Sequence, residues 1–258
     1  MCELSKLKKI AFDCRLTVLD MVKEAKAGHI GGSMSCMDIL VALYHSQLNP
    51  GERFILSKGH CAEALYAVLA SKGVFQKELL KTFATFDTAL AEHPTKKVPG
   101  VEFATGALGH GLSVGVGMAM GLEARVYVLM GDGELAEGSI WEAAMSAAKY
   151  RLKHLTAIVD RNRLQISGGT EDVMPLDDLG EKFRSFGWEV RICNGHEPGE
   201  ILQAMAIGDK PLAVIANTVK GFGSAVMENN PEWHHHIPDE EQYLQIKTDF
   251  TQRRDSFG

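Results

Sequence analysis

The chain has 258 residues, a formal net charge of −6, 45% hydrophobic and 23% charged residues. A chain this long can bury a substantial core as one large α/β domain. Its mild acidity and its short, interrupted basic clusters (Lys6-Leu-Lys-Lys9 and Arg151-Leu-Lys153) argue against a nucleic-acid partner, which calls for a clustered basic face. The five cysteines (Cys2, Cys14, Cys36, Cys61 and Cys193) are odd in number and never spaced as CxxC, which fits reduced thiols in a cytoplasmic protein. Asp13 and Arg15 interrupt the apolar stretch near the N-terminus, where a signal peptide needs an unbroken one. With no run of about 18 apolar residues, no membrane span is expected.

In chain order, helical patterns are expected over Leu4–Ala27, Cys36–Leu48 and His60–Ser71, with glycine-bearing loops at Gly28–Gly32 and His93–Gly100. Next comes a glycine-studded helix through Gly111, Gly115, Gly117 and Gly121. Its small-residue face suits tight helix–sheet packing or a dimer seam equally. Four short β-branched runs then read as buried parallel strands: Val126–Met130, Thr156–Asp160, Trp188–Cys193 and Leu212–Thr218. Helices around Gly138–Tyr150, Leu176–Phe186 and Glu197–Ile207 lie between them, with loops at Gly168–Pro175 and Gly221–Pro238 and a polar tail over Thr251–Asp255. This alternation specifies one domain: an α/β fold with a doubly wound, mostly parallel sheet flanked by helices. Asp132, Asn162 and Lys220 each follow a strand and should converge at the carboxyl edge, where such sheets bind ligands.

The strand Val126–Met130 runs into Gly131-Asp132-Gly133, and a helix starts about five residues later. The two glycines let the backbone turn and approach a ligand, and amides near the helix start can receive phosphate oxygens. Asp132 offers the hard oxygen that Mg²⁺ prefers; calcium or manganese would also suit it. One βαβ crossover takes roughly 30 residues, so Asn162 can meet Asp132 at the neighbouring strand end. Alone, Gly-Asp-Gly is equally a plain turn and Asn162 a loop cap. Strand placement, spacing and the downstream Glu137 favour a metal–diphosphate site.

Gly131-Asp132-Gly133 with Asn162 resembles the diphosphate motif of thiamine-diphosphate enzymes. The surrounding sequence, from Ala27-Gly-His-Ile-Gly-Gly-Ser33 to Trp233-His234, resembles transketolase. The resemblance implies a thiamine-diphosphate-binding fold in which Asp132, Asn162 and the Leu164 carbonyl hold magnesium. It further implies that Gly131, Gly133, Gly106 and Leu108 lie against the cofactor, and that Glu137 supports the assembly across a subunit interface. His29, His60, His93 and His234 lie in segments that resemble transketolase active-site loops, and the implied roles are sugar contacts, with His60 also by the cofactor. Imidazole suits ketol transfer, because it exchanges protons near neutral pH and hydrogen-bonds hydroxyls. Each histidine alone could be an ordinary loop residue.

Two departures stand out. Transketolases usually continue Trp-His with glycine, whereas His235 and His236 follow here, which leaves open which of the three faces the substrate. His110 stands where long-chain members carry glutamine. A zinc site built on the triplet is disfavoured, because three consecutive rings do not easily reach one ion and no cysteine supports them. Lys220-Gly-Phe-Gly223 matches a family loop over the active site. Transketolases also carry a pyrimidine-binding and a C-terminal domain, for which about 36 residues after Phe222 leave no room. The expectation is therefore the N-terminal subunit of a split transketolase that acts on phosphorylated sugars. A separate C-terminal subunit would complete a heterotetramer built on a homodimer-like core. The alternatives are an enzyme like 1-deoxyxylulose-5-phosphate synthase, or a non-catalytic diphosphate-binding relative.

Overall fold

A computed structural model of the chain describes residues 3–257. Helices α1 (Glu3–Ala25) and α2 (Ile30–Ala42) come first, the latter ending in a wider turn over Leu43–Gln47. Strand β1 (Arg53–Leu56) and α3 (Ala62–Ser71) follow, and a long irregular stretch leads to α4 (His110–Gly121). Then come β2 (Val126–Gly131), α5 (Gly138–Lys149) and β3 (Leu155–Arg161). A two-residue antiparallel ladder, β4 (Leu164–Gln165) with β5 (Gly168–Gly169), leads into the single turn α6 (Thr170–Val173). The chain closes through α7 (Leu179–Ser185), β6 (Glu189–Asn194), α8 (Pro198–Ala204), β7 (Leu212–Asn217) and α9 (Glu240–Asp255).

Five strands form one parallel sheet in the order β1-β2-β3-β7-β6. Both faces of the inner strands are covered, as a parallel sheet requires, so β2, β3 and β7 read as largely apolar runs, whereas the edge strand β6 carries Glu189 and Arg191. Successive side chains point to opposite faces. Tyr127 and Leu129 join a core with α1, α2, α3, α8 and α9, while Val126, Val128 and Met130 join one with α4, α5 and α7. In α1 the buried Leu7, Ala11, Cys14, Val18 and Val22 recur every three or four residues, one apolar stripe along a helix.

The four expected strands are present, and the sheet has a fifth. Strand β1 escapes the sequence pattern because only Phe54–Leu56 are apolar and Arg53 stays half-exposed. The expected loop Gly28–Gly32 ends early, and the helix expected from Cys36 already starts at Ile30. Both positions need glycine because the Trp233 backbone packs against Gly31 and the Cys61 side chain against Gly32. A Cβ on Gly31 would lie 2.5 Å from the Trp233 carbonyl oxygen. The expected loop Gly168–Pro175 holds β5 and α6. The expected polar tail is the end of α9, which starts with a capping box between Asp239 and Gln242. α9 turns only Ile246 and Phe250 fully inward, and Phe250 meets Phe12 of α1 at 6.0 Å. Each such burial contributes roughly 1.5–3 kcal/mol. Within the glycine-rich helix, Gly111 packs on Ser57 and Gly115 on Val128, whereas Gly117 and Gly121 meet nothing.

Candidate active site

Because β2 and β3 are parallel neighbours with Gly131 opposite Asp160, Asp132 and Asn162 emerge side by side at their carboxyl ends. Asp132 is buried. Its Oδ2 accepts from the Arg163 amide at 2.6 Å and from Arg161 at 3.2 Å, and its Oδ1 accepts from the Gly133 amide at 2.8 Å. Burial, and then the charge of Asp160, push its pKa above the usual carboxylate range. A cation at this point would relieve both effects. Asn162 Oδ1 accepts from the Leu164 amide, while Nδ2 donates to Ser35 Oγ. Asp132 Oδ1 and Asn162 Oδ1 each keep a further lone pair. Carboxylate, amide and backbone carbonyl oxygens are the hard donors that magnesium takes, so this set fits the metal–diphosphate expectation.

Beneath this pair lies a buried charge network. Asp160 accepts from Lys58 at 2.5 Å, from Ser35 at 2.6 Å and from Thr218. Burial opposes the charge on Lys58, but Asp160 outweighs it and holds the ammonium well above its ordinary value. The cation stays charged because its carboxylate partner and the Gly32 carbonyl fill its hydrogen-bonding needs. Glu134 is a second buried anchor. It accepts from Ser57 and from the amides of Gly109 and Gly131, tying the loop that bears Leu108 to the end of β2.

The cleft above this floor has a volume of about 360 Å³, within the range of small-molecule sites. His29, His60, Gly106, Leu108, Gly131, Asp132, Gly133, Asn162, Leu164 and His234 all line it. His29 is the hub of the histidines, with ring centres 5.5 Å from His60 and His234 and 6.0 Å from His93. Burial lowers the pKa of His29 to about 4, and burial followed by the charge of Lys220 lowers that of His234 to about 3. Both rings are therefore neutral near pH 7. Lys220, itself lowered to about 8 by burial and by Lys58, donates to His234 Nδ1 at 3.0 Å. That contact leaves the His234 proton on Nε2. The His29 amide is fixed by Glu63, whose carboxyl is buried and pushed up to about 8.

Two expected site residues lie off the cleft wall. His93 sits behind Gly106, within reach of His29, and Glu137 is exposed at the start of α5. Sequence reasoning missed Lys58, Glu134 and Gln165, which also line the cleft. Lys58 follows a strand too short to recognise. Glu134 sits in the tight turn after Asp132, and its only available signal was a carboxylate beside a glycine-rich strand end.

A parallel sheet with a carboxylate–amide pair at its carboxyl edge, facing His29 and His234, is the arrangement that the resemblance to thiamine-diphosphate enzymes implies. The family model described as transketolase, thiamine diphosphate binding domain matches residues 7–257. The chain belongs to this family and is a transketolase component, a transferase. It is 47% identical over 257 residues to one subunit of the apulose-4-phosphate transketolase of Phocaeicola vulgatus, covering 93% of this chain and 92% of that one. It is 40% identical over 248 residues to a 6-deoxy-6-sulfo-D-fructose transketolase subunit of Clostridium sp., covering 89% and 90%. The fold superposes on the Campylobacter jejuni transketolase with a TM-score of 0.88 at 28% identity, covering 97% of this chain but 45% of that one. The chain thus spans less than half of that transketolase and nearly all of the two subunits. Among the described residues no helix is long and apolar enough to cross a membrane.

Proposed function

We propose that this chain binds the diphosphate of thiamine diphosphate through magnesium and, with a C-terminal partner subunit, moves a two-carbon ketol unit between phosphorylated sugars. The observation that carries this is the placement of Asp132 and Asn162 at adjoining strand ends beneath neutral His29 and His234. Asp132, the Asn162 amide oxygen and the Leu164 carbonyl hold the metal; Gly131 and Gly133 leave room for the diphosphate, and Gly106 and Leu108 flank the cofactor. When bound, thiamine diphosphate supplies the electron sink for breaking a carbon–carbon bond beside a hydroxyl. His29 and His60 position the sugar hydroxyls. His234, polarised by Lys220 at Nδ1, donates from Nε2 to the oxygen that gains charge. His93 orients His29 and the donor end from behind Gly106.

The partner brings the pyrimidine-binding domain, and Glu137, exposed at the start of α5, faces the subunit seam of a heterotetramer with a homodimer-like core. Relatives named as subunits of apulose-4-phosphate and sulfofructose transketolases support the two-chain reading. They favour a substrate of the kind those names carry, a sugar phosphate or a sulfosugar. The buried, unbonded thiols of Cys14, Cys36, Cys61 and Cys193 support a cytoplasmic setting. The reading is tested by titrating thiamine diphosphate and Mg²⁺ into the chain, alone and with its partner, by calorimetry. Saturable, metal-dependent binding is expected. A reconstituted pair that binds no cofactor would refute it.

A further inference from the structure

His235 and Glu92, which the proposed transfer does not use, meet the cleft-lining His29. One ring nitrogen each from His29 and His235 and a carboxylate oxygen of Glu92 all lie within 4.8 Å of one another. The His29 and His235 ring centres are 4.8 Å apart, and His235 Nε2 is 3.7 Å from Glu92 Oε2. The histidine triplet does not act as a unit here. Both His234 and His235 lie beside His29, but His234 is engaged by Lys220 and His236 by Gln242, which leaves the His235 ring as the one that meets Glu92. His29 Nδ1 is buried and has no hydrogen-bond partner, a costly state for a polar atom that a ligand would relieve.

The donor set is selective. Two imidazoles and one carboxylate, with room for an exogenous ligand, are the usual partners of zinc-class divalent ions in open sites. The all-oxygen set at Asp132 and Asn162 instead suits magnesium. Zinc–ligand bonds of about 2.0–2.2 Å at tetrahedral angles put ligand atoms roughly 3.3 Å apart. The His235–Glu92 pair is already near that separation. The widest gap must close by about 1.5 Å, which the exposed His235 and half-exposed Glu92 side chains can supply by rotating while the His29 amide stays fixed by Glu63. Glu92 offsets part of the ion's charge. His29 is unprotonated near neutral pH, so no proton competes for its lone pair.

We infer that His29, His235 and Glu92 form a second metal site, for a zinc-class divalent ion, against the His29 wall of the cofactor cleft. Its occupation takes His29 away from the sugar and closes the enzyme to substrate. The ion site stands on its own geometry. Only the inhibitory consequence rests on the proposed sugar role of His29.

The test is a Co²⁺ titration of the full chain in excess Mg²⁺, read by visible absorption without cofactor or sugar. Wild-type chain should give a saturable absorption of low-coordinate cobalt that Zn²⁺ bleaches. Loss of even an outer-sphere partner weakens metal sites by about 10–100-fold, so His235→Ala should weaken this one by at least ~10-fold. Glu92→Gln should weaken it as well, and circular dichroism should show both exposed-site variants folded. No signal, or a signal unchanged in both variants, would overturn the site. In the reconstituted enzyme Zn²⁺ should inhibit wild type and spare His235→Ala, whose zinc-free rate should match wild type. Cobalt binding without zinc inhibition would overturn the blocking consequence. Failure of the chain to bind thiamine diphosphate would instead show in the calorimetry and leave the cobalt result readable.

Discussion

His196 lies face to face on Phe222, ring centres 3.6 Å apart and planes 9° from parallel. The Val219 amide donates to His196 Nε2 at 2.9 Å, so Nδ1 carries the proton and donates to Asp38 at 2.9 Å. Asp38 in turn is paired with buried Arg15 at 2.6 Å, and the Arg15 guanidinium stacks over Phe12 and Phe222. A chain of contacts therefore runs from α1 and α2 through the end of β6 to the loop that carries Lys220. Replacing His196 by alanine leaves a buried carboxylate and an amide short of a partner, a cost of about 1–3 kcal/mol. It should also speed exchange of the Val219 amide and lower turnover more than cofactor affinity. Thermal unfolding, hydrogen exchange and steady-state kinetics together check this.

The metal floor and the imidazoles should separate experimentally. Asp132→Ala removes the one carboxylate assigned to the metal, so calorimetric binding of thiamine diphosphate with Mg²⁺ should vanish. His29→Ala leaves that floor intact and should keep cofactor binding near wild type. It should lower ketol transfer by about 10²–10⁴-fold, the usual worth of a positioned proton-exchanging group.

Glu63 gives the fold a pH signature. Burial, and then the neighbouring Cys61, raise its carboxyl from 4.5 to about 8. Between these two values the folded chain keeps a proton that the unfolded chain has released, so this part of the stability is full below pH 4.5 and is lost as pH rises through about 8. Glu63→Gln keeps the acceptor for the His29 amide and carries no charge. Urea unfolding on either side of the window should show a smaller loss for Glu63→Gln than for wild type.

Gly31 should tolerate no side chain. A methyl group there meets the Trp233 carbonyl at 2.5 Å, and both partners are held by backbone. Gly31→Ala should cost about 1–3 kcal/mol by overpacking. It should also shift the segment that carries His234, raising the KM for sugar while thiamine diphosphate affinity changes little. Equal losses in both would point to general unfolding.

Much of this protein was legible in its residues, for reasons that differ along the chain. Strands β2, β3 and β7 announced themselves because a sheet covered on both faces demands nearly uninterrupted apolar runs, and the edge strand β6 by its alternating Val190 and Ile192. Asp132 and Asn162 followed because one crossover between adjacent parallel strands has a nearly fixed length. The transketolase resemblance carried the four histidines, and the fold gathered them around His29.

The sequence could not place what depends on contacts between distant segments. Strand β1 is four residues long and is a strand only because β2 lies beside it. Gly31 and Gly32 look like a loop by propensity, yet they are helical, and glycine is needed there because the Trp233 backbone and Cys61 press where a Cβ would be. α9 reads as a polar tail because two inward residues, Ile246 and Phe250, suffice once α1 is there to receive them. Local pattern records what each residue prefers, so it determined four of the five strands, the Gly131-Asp132-Gly133 turn and its spacing to Asn162. Long-range packing decides which groups are buried together. It alone set the neutral state of His29 and His234, the Lys58–Asp160 pair beneath Asp132 and Asn162, and the meeting of His235 with His29 and Glu92.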